Sequence, residues 1–145
     1  MIKFYWNPNA LEHIMKNLVK VDINVKAGAK KALIESAKGV MSQSVLEVPL
    51  DTGALSTSGY IEDPKEIGNR ISITVGYGGA NDKRNPESGK MASEYAMVVH
   101  ETPEYHHSEG KWKYLEDPIR AYQGAFLNTF AKEMKVVFSK GVTPR

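Results

Sequence analysis

The chain has no cysteine among its 145 residues. That excludes a disulfide framework, a thiol nucleophile and any thiolate-ligated metal. An excess of one charge is also missing: nineteen Lys and Arg stand against seventeen Asp and Glu, a formal net charge of +2. This balance excludes a polybasic nucleic-acid binder held mainly by counterion release. No apolar run approaches the roughly eighteen residues needed to cross a bilayer. The opening Met1-Ile2-Lys3-Phe4-Tyr5-Trp6 carries one charge and no long apolar stretch, so it does not read as a signal peptide. Internal repeats and low-complexity tracts are absent too. What remains is 41% apolar and 25% charged residues, a globular composition. A chain of this length forms one domain and buries enough surface for a core without staples.

Residues 9–47 carry helical spacing. Asn7-Pro8-Asn9 offers a cap, with Pro8 where a first turn tolerates it. Leu11, Ile14, Met15 and Leu18 begin an apolar stripe that continues through Val25, Ala32, Leu33, Ala37, Val40, Met41 and Val45. The β-branched and Asx residues of Val21–Val25 predict a break near Asp22, and Pro49 ends the helix. The middle of the chain changes period. Residues 55–63 and the alternating Arg70–Tyr77 predict two strands joined as an antiparallel hairpin through the turn residues 63–69. Residues 78–89, rich in Gly, Asx and charge, predict a long exposed loop. The Val-Val pair in Tyr95–His100 favours a third strand. Tyr114, Leu115, Ile119, Tyr122, Phe126, Leu127, Phe130, Met134 and Val137 then form an amphipathic helix over about 117–138, with Pro118 in its first turn and Asp117 as cap. The expected fold is α+β. In it a long N-terminal helix (about 9–47) and a C-terminal helix pack on a small antiparallel sheet with a long loop (about 54–101).

Three groups invite chemistry. Asp51-Thr52-Gly53 has the triplet of aspartic proteases, in which two carboxylates share one proton. One copy here would require a homodimer. The triplet follows a helix and Pro49 rather than a strand, however, and turn formation explains Pro49, Asp51, Thr52 and Gly53 more simply, with the Asp51 side chain capping the backbone and Gly53 taking positive φ. His100, Glu101, His106 and His107 resemble metal ligands, but Pro103 and Glu104 break the zinc-helix spacing. The simpler reading ends one element at His100 and leaves the other two histidines in an exposed loop. Gly76–Gly79 lacks the Lys-Ser/Thr ending of a phosphate loop. Trp6, Trp112 and Tyr114 stand near element boundaries, where they serve as core caps in a monomer or as interface anchors in an oligomer. The lysines of the first helix read mainly as a solvated face.

Two blocks carry a resemblance. Val48-Pro49-Leu50-Asp51-Thr52-Gly53-Ala54-Leu55-Ser56-Thr57-Ser58 follows a long helix. Tyr95-Ala96-Met97-Val98-Val99-His100-Glu101 is followed by Gly110-Lys111-Trp112-Lys113-Tyr114-Leu115-Glu116-Asp117-Pro118. In order and spacing they resemble the neck or tail-completion proteins (head–tail joining, minor capsid-type) of long-tailed double-stranded DNA bacteriophages. His100-Glu101-Thr102-Pro103 departs from the Glu-x-Gly-Thr of many members. The resemblance implies a structural virion protein, not an enzyme, with no cofactor and no catalytic residue. It assembles in the host cytoplasm into a homo-oligomeric ring and joins connector or head-closure proteins to tail terminator or tail tube proteins. It implies no membrane contact. Lys26, Lys30 and Lys38 are the candidates for non-specific contact with packaged DNA. The alternative is a small dimeric aspartic or metal-dependent hydrolase using Asp51 or the His100/His106/His107 cluster.

Overall fold

A computed structural model describes residues 3–5, 22–104 and 108–141. The first long helix, α1, spans Asp22–Glu47; the helical segment expected over 9–21, and with it the approach to the predicted break near Asp22, lies outside the described residues. Its buried face runs Val25, Ala29, Ala32, Leu33, Ala37, Val40, Ser44 and Val48, steps of three and four that keep one stripe inward. Val45, expected on that stripe, is exposed. Ser44 takes the inward place and its hydroxyl meets the Tyr77 hydroxyl at 2.8 Å. The helix stops because Val48 N–H still reaches the Ser44 carbonyl at 2.8 Å, whereas Pro49 has no N–H to continue the series.

The sheet is organised around one strand. β1 (Lys3–Tyr5), β2 (Gly59–Ile61) and β3 (Lys65–Ile67) all pair antiparallel with β4 (Arg70–Tyr77). Ser72 faces Tyr5 on one edge and Lys65 on the other, so β2 and β3 share an edge and form one strand interrupted at Asp63-Pro64. The predicted hairpin is present, but residues 63–69 are not all turn. Its tip is Gly68-Asn69, with Gly68 at φ +59°, as a first central residue of a type II′ turn requires. Ile71, Ile73 and Val75 alternate inward to meet α1 and the last helix.

A second helix, α2 (Ala92–Glu101), replaces the strand expected from the Val-Val pair. The preceding segment gives the reason, and it is not the open loop predicted over 78–89. The Asp82 carboxylate accepts the Ser93 N–H at 3.1 Å and the Ser93 hydroxyl, while Glu94 Oε2 accepts the Met91 N–H at 2.5 Å. The free N–H groups of a helix start are thereby satisfied, and Asp82 is held below the ordinary carboxylate range, chiefly by Ser93. Asn85 is buried, and its Oδ1 accepts Glu87 N–H at 2.8 Å and Ser88 N–H at 3.1 Å. The polar residues that read as solvent-seeking are backbone partners.

The last helix, α3 (Glu116–Gly141), begins one residue before the expected cap, so Asp117 lies inside its first turn. It packs antiparallel to α1: Gly28 lies against Met134 and Val137, and Gly39 against the Tyr122 ring. Ile119, Phe126, Phe130 and Met134 are buried between them. Each such side chain stabilises by about 1.5–3 kcal/mol, whereas exposed ion pairs such as Arg120–Glu116 contribute about 0–1 kcal/mol. The fold is α+β, held by the helix–helix and helix–sheet core.

Candidate functional site

Pro49–Gly53, the 85–90 segment and α2 converge on a cleft of about 250 Å³. Pro49, Leu55, Val98 and Val99 form its apolar wall, and Asp51, Ser88 and Lys90 lie around it with Tyr95. The Asp51–Gly53 turn feeds the short 3-10 turn Ser56–Ser58. Its bonds converge on the Gly53 carbonyl, which accepts Thr57 N–H at 3.0 Å, Thr57 Oγ1 at 2.6 Å and Ser56 Oγ at 3.2 Å. The expected Asp51 side-chain cap is not among them; the Asp51 carboxylate is exposed at the cleft. Gly53 has φ +79° as expected. Burial raises the Tyr95 phenol above its ordinary value, as do the Asp51 and Asp82 carboxylates, while Asn85 opposes them. A phenol kept protonated in this way donates hydrogen bonds and does not serve as a base at neutral pH.

Beside the cleft, backbone bonds tie three segments together. Leu50 N–H reaches the Glu109 carbonyl at 3.3 Å, Lys111 N–H the Glu47 carbonyl at 2.8 Å, and Lys113 N–H the His100 carbonyl at 2.9 Å. Gly110, at φ +92°, fits between them because a Cβ there would collide with the Pro49 backbone. These segments carry Leu46, Leu50, Met97, Val98 and Trp112, each between 46% and 78% exposed. Five large apolar side chains on three joined segments are thus left to solvent, which does not favour them.

His100 is buried and fully engaged. Its Nδ1 is 2.7 Å from Glu101 Oε1, and its Nε2 accepts the Glu116 N–H at 3.2 Å. With Nδ1 carrying the hydrogen, the one ring lone pair is used by the start of α3. Metal ligation by His100 would break that cap. His106 and His107 lie outside the described residues, and among those described no group of three His, Asp or Glu could hold a metal. Lys113 Nζ bridges Glu101 Oε2 at 2.6 Å and Glu116 Oε2 at 2.7 Å. Lys113 and His100 lower Glu101, and Lys113 and Arg120 lower Glu116, below the ordinary carboxylate range.

The aromatic candidates separate. Trp112 is exposed, with Lys113 Nζ 5.7 Å from its ring centroid. Tyr114 is 2% exposed, which corrects its reading as an interface anchor: its hydroxyl donates to the Ala96 carbonyl at 2.8 Å, and its ring meets Tyr77 and His100 edge-on. Burial raises its phenol above the ordinary range and raises that of Tyr77 to about 12. Trp6 lies outside the described residues. Lys26 and Lys30 both reach Glu66, at 2.7 and 2.9 Å, so these DNA candidates are partly neutralised, while Lys38 is exposed.

Asn85, Lys90, Tyr95 and Val98 were not singled out as a site by the sequence, because the cleft exists only once α2 is a helix folded back on the Asp51 turn. Among the described residues no helix is long and apolar enough to cross a membrane. Compared with protein-family models, curated proteins and solved structures, the chain matches none.

Proposed function

We propose that this chain is a structural subunit of a bacteriophage virion, placed at the head–tail interface, where it assembles into a ring and joins head-side to tail-side components. The resemblance of the 48–58 and 95–118 blocks introduces this reading. The observation that carries it is the exposed apolar surface of Leu46, Leu50, Met97, Val98 and Trp112. Both blocks contribute to it, Leu50 from the first and Met97, Val98 and Trp112 from the second, and exposed apolar patches mark protein contacts. The Asp51–Gly53 turn and the His100 cap serve as rigid joints that present it. The connector or head-closure ring and the tail terminator or tail tube are the partners in this reading, and exposed Lys38 is the side chain best placed to meet packaged DNA without base readout.

The test is the mass of the purified protein by light scattering, followed by electron microscopy alone and after mixing with connector and tail proteins. A closed ring with a channel, or incorporation into the mixed assembly, is expected. A monomer that joins neither set of partners overturns the proposal.

One observation favours a second reading: Asp51 lies on a cleft of side-chain size. A two-fold dimer placing two Asp51 carboxylates together would have the parts of an aspartic hydrolase. A discrete dimer with peptidase activity that Asp51→Asn abolishes would establish it.

A further inference from the structure

Trp112 and Tyr114 flank Lys113 and face opposite ways: the tryptophan is 46% exposed, the tyrosine 2%. Lys113 itself has φ +56°, the one positive value at a residue other than glycine among those described. A residue with a Cβ is disfavoured there by a population factor of about ten. Such a conformation persists only where its surroundings hold it.

The chain is fixed on both sides of this residue. Tyr114 is anchored by its hydroxyl on the Ala96 carbonyl and by ring contacts with Tyr77 and His100. Gly110 sits against the Pro49 backbone, and Lys111 N–H reaches the Glu47 carbonyl. A return of Lys113 to an ordinary φ is a rotation of about 120°. The buried Tyr114 cannot take it up, so the rotation falls on Lys111 and Trp112. The φ of Lys113 therefore sets the direction of Trp112.

Four bonds hold Lys113 as it is. Its N–H donates to the His100 carbonyl at 2.9 Å, and its carbonyl accepts the Asp117 N–H at 3.0 Å. Its ammonium lies between Glu101 Oε2 of α2 at 2.6 Å and Glu116 Oε2 of α3 at 2.7 Å. The other carboxylate oxygens are taken as well, Glu101 Oε1 by His100 and Glu116 Oε1 by Arg120, so neither acid turns away. The Lys113 side chain is 23% exposed, and salt screens such partly covered pairs less than open ones. Without the two ion pairs, only two backbone bonds would oppose the strain.

We propose that Lys113 is the positioning residue of the exposed apolar surface: Glu101 and Glu116 clasp its ammonium from two helices, hold its backbone left-handed, and so present Trp112 to a protein partner. The clasp belongs to the isolated chain; the partner rests on the subunit reading above.

Protein labelled with fluorotryptophan gives a separate fluorine resonance for Trp6 and for Trp112, assigned by Trp112→Phe. The double variant Glu101→Gln/Glu116→Gln keeps both side-chain shapes and an acceptor for His100 but removes the charges on Lys113. With native circular dichroism, it is expected to displace the Trp112 resonance and to weaken assembly about tenfold, because about a tenth of the chains then present Trp112 as the parent does. Adding Lys113→Gly, which takes positive φ without strain, is expected to bring the resonance and assembly back toward the parent. Lys113→Ala in the same background is not. A Trp112 resonance that the two glutamines leave unchanged, or a glycine that restores no more than alanine, overturns the proposal. Assembly that proceeds equally in all these variants overturns it too and leaves the subunit reading standing. The expected resonance pattern in a chain that joins neither head-side nor tail-side proteins supports the clasp and removes the subunit reading.

Discussion

The ring nitrogen Nε2 of His100, at the end of α2, accepts the first backbone N–H of α3, that of Glu116, at 3.2 Å. A helix start buried against another helix must satisfy its N–H groups, and here a side chain fifteen residues earlier than Leu115 does so. His100→Ala is expected to cost about 2–4 kcal/mol, from the cavity and the unpartnered N–H together. Urea unfolding measures it. His100→Gln, which keeps an acceptor, is expected to lose less; equal losses would show that packing alone matters.

Neighbouring aromatics separate core from surface. Tyr114→Phe removes the bond to the Ala96 carbonyl and is expected to cost about 1 kcal/mol, with assembly unchanged in the folded variant. Trp112→Ala is expected to leave the unfolding midpoint within about 0.5 kcal/mol of the parent and to weaken assembly. Thermal melts and light scattering on both variants check the contrast, and the reversed pattern would move the interface elsewhere.

Gly110→Ala tests the joint between the end of α1 and the segment before α3. A Cβ at φ +92° is strained and also meets the Pro49 backbone. A loss of about 2–4 kcal/mol is expected, read from the denaturation midpoint. Gly89→Ala, at φ +70° with nothing within 4 Å of the added Cβ, is expected to cost less, since strain acts there without collision.

Acid should loosen the surface network. Lys113, His100 and Arg120 hold Glu101 and Glu116 below their ordinary value of 4.5, and Lys26 and Lys30 do the same for Glu66. A folded-state value below the unfolded one contributes stability above the unfolded value and loses it as pH falls through the folded one. The unfolding midpoint is therefore expected to decline below about pH 4.5, less steeply in high salt. Lys113→Met is expected to flatten that decline; an unchanged slope would assign it to other carboxylates.

Much of the fold was legible in the sequence because burial and period coincide. Val25, Ala32, Leu33, Ala37 and Val40 mark the inner face of α1 at helical steps, and Ile71, Ile73 and Val75 mark that of β4 at alternate positions. The failures share a cause. Tyr95–His100 reads as a strand from Val98-Val99 alone, but Asp82, a dozen residues upstream, satisfies the helix start, and Tyr95 and Val99, one turn apart, face the cleft together. Ser44, four residues after Val40, falls on the inward stripe by helical phase and its hydroxyl meets that of Tyr77, while Val45 falls off it. The candidate site was half legible: Pro49–Gly53 announced itself as a turn, whereas the wall opposite it comes from segments thirty to fifty residues away. Tyr114 looked like an anchor because an aromatic at an element boundary has the same pattern whether it points in or out.

The antiparallel pairing of α1 with α3 also determines the order in which the protein can be completed. Lys31 and Glu133, joined at 3.0 Å, are 102 residues apart, so the inner face of α1 lacks its α3 partner until the last quarter of the chain has been synthesised. At ribosomal rates of about 5–20 residues per second, that face waits roughly 5–20 s with Val25, Leu33 and Val40 bare. Until α3 emerges, Val25, Leu33 and Val40 lack the partners that bury them, the kind of transient apolar surface that chaperones recognise and that permits exchange of an element between neighbouring chains.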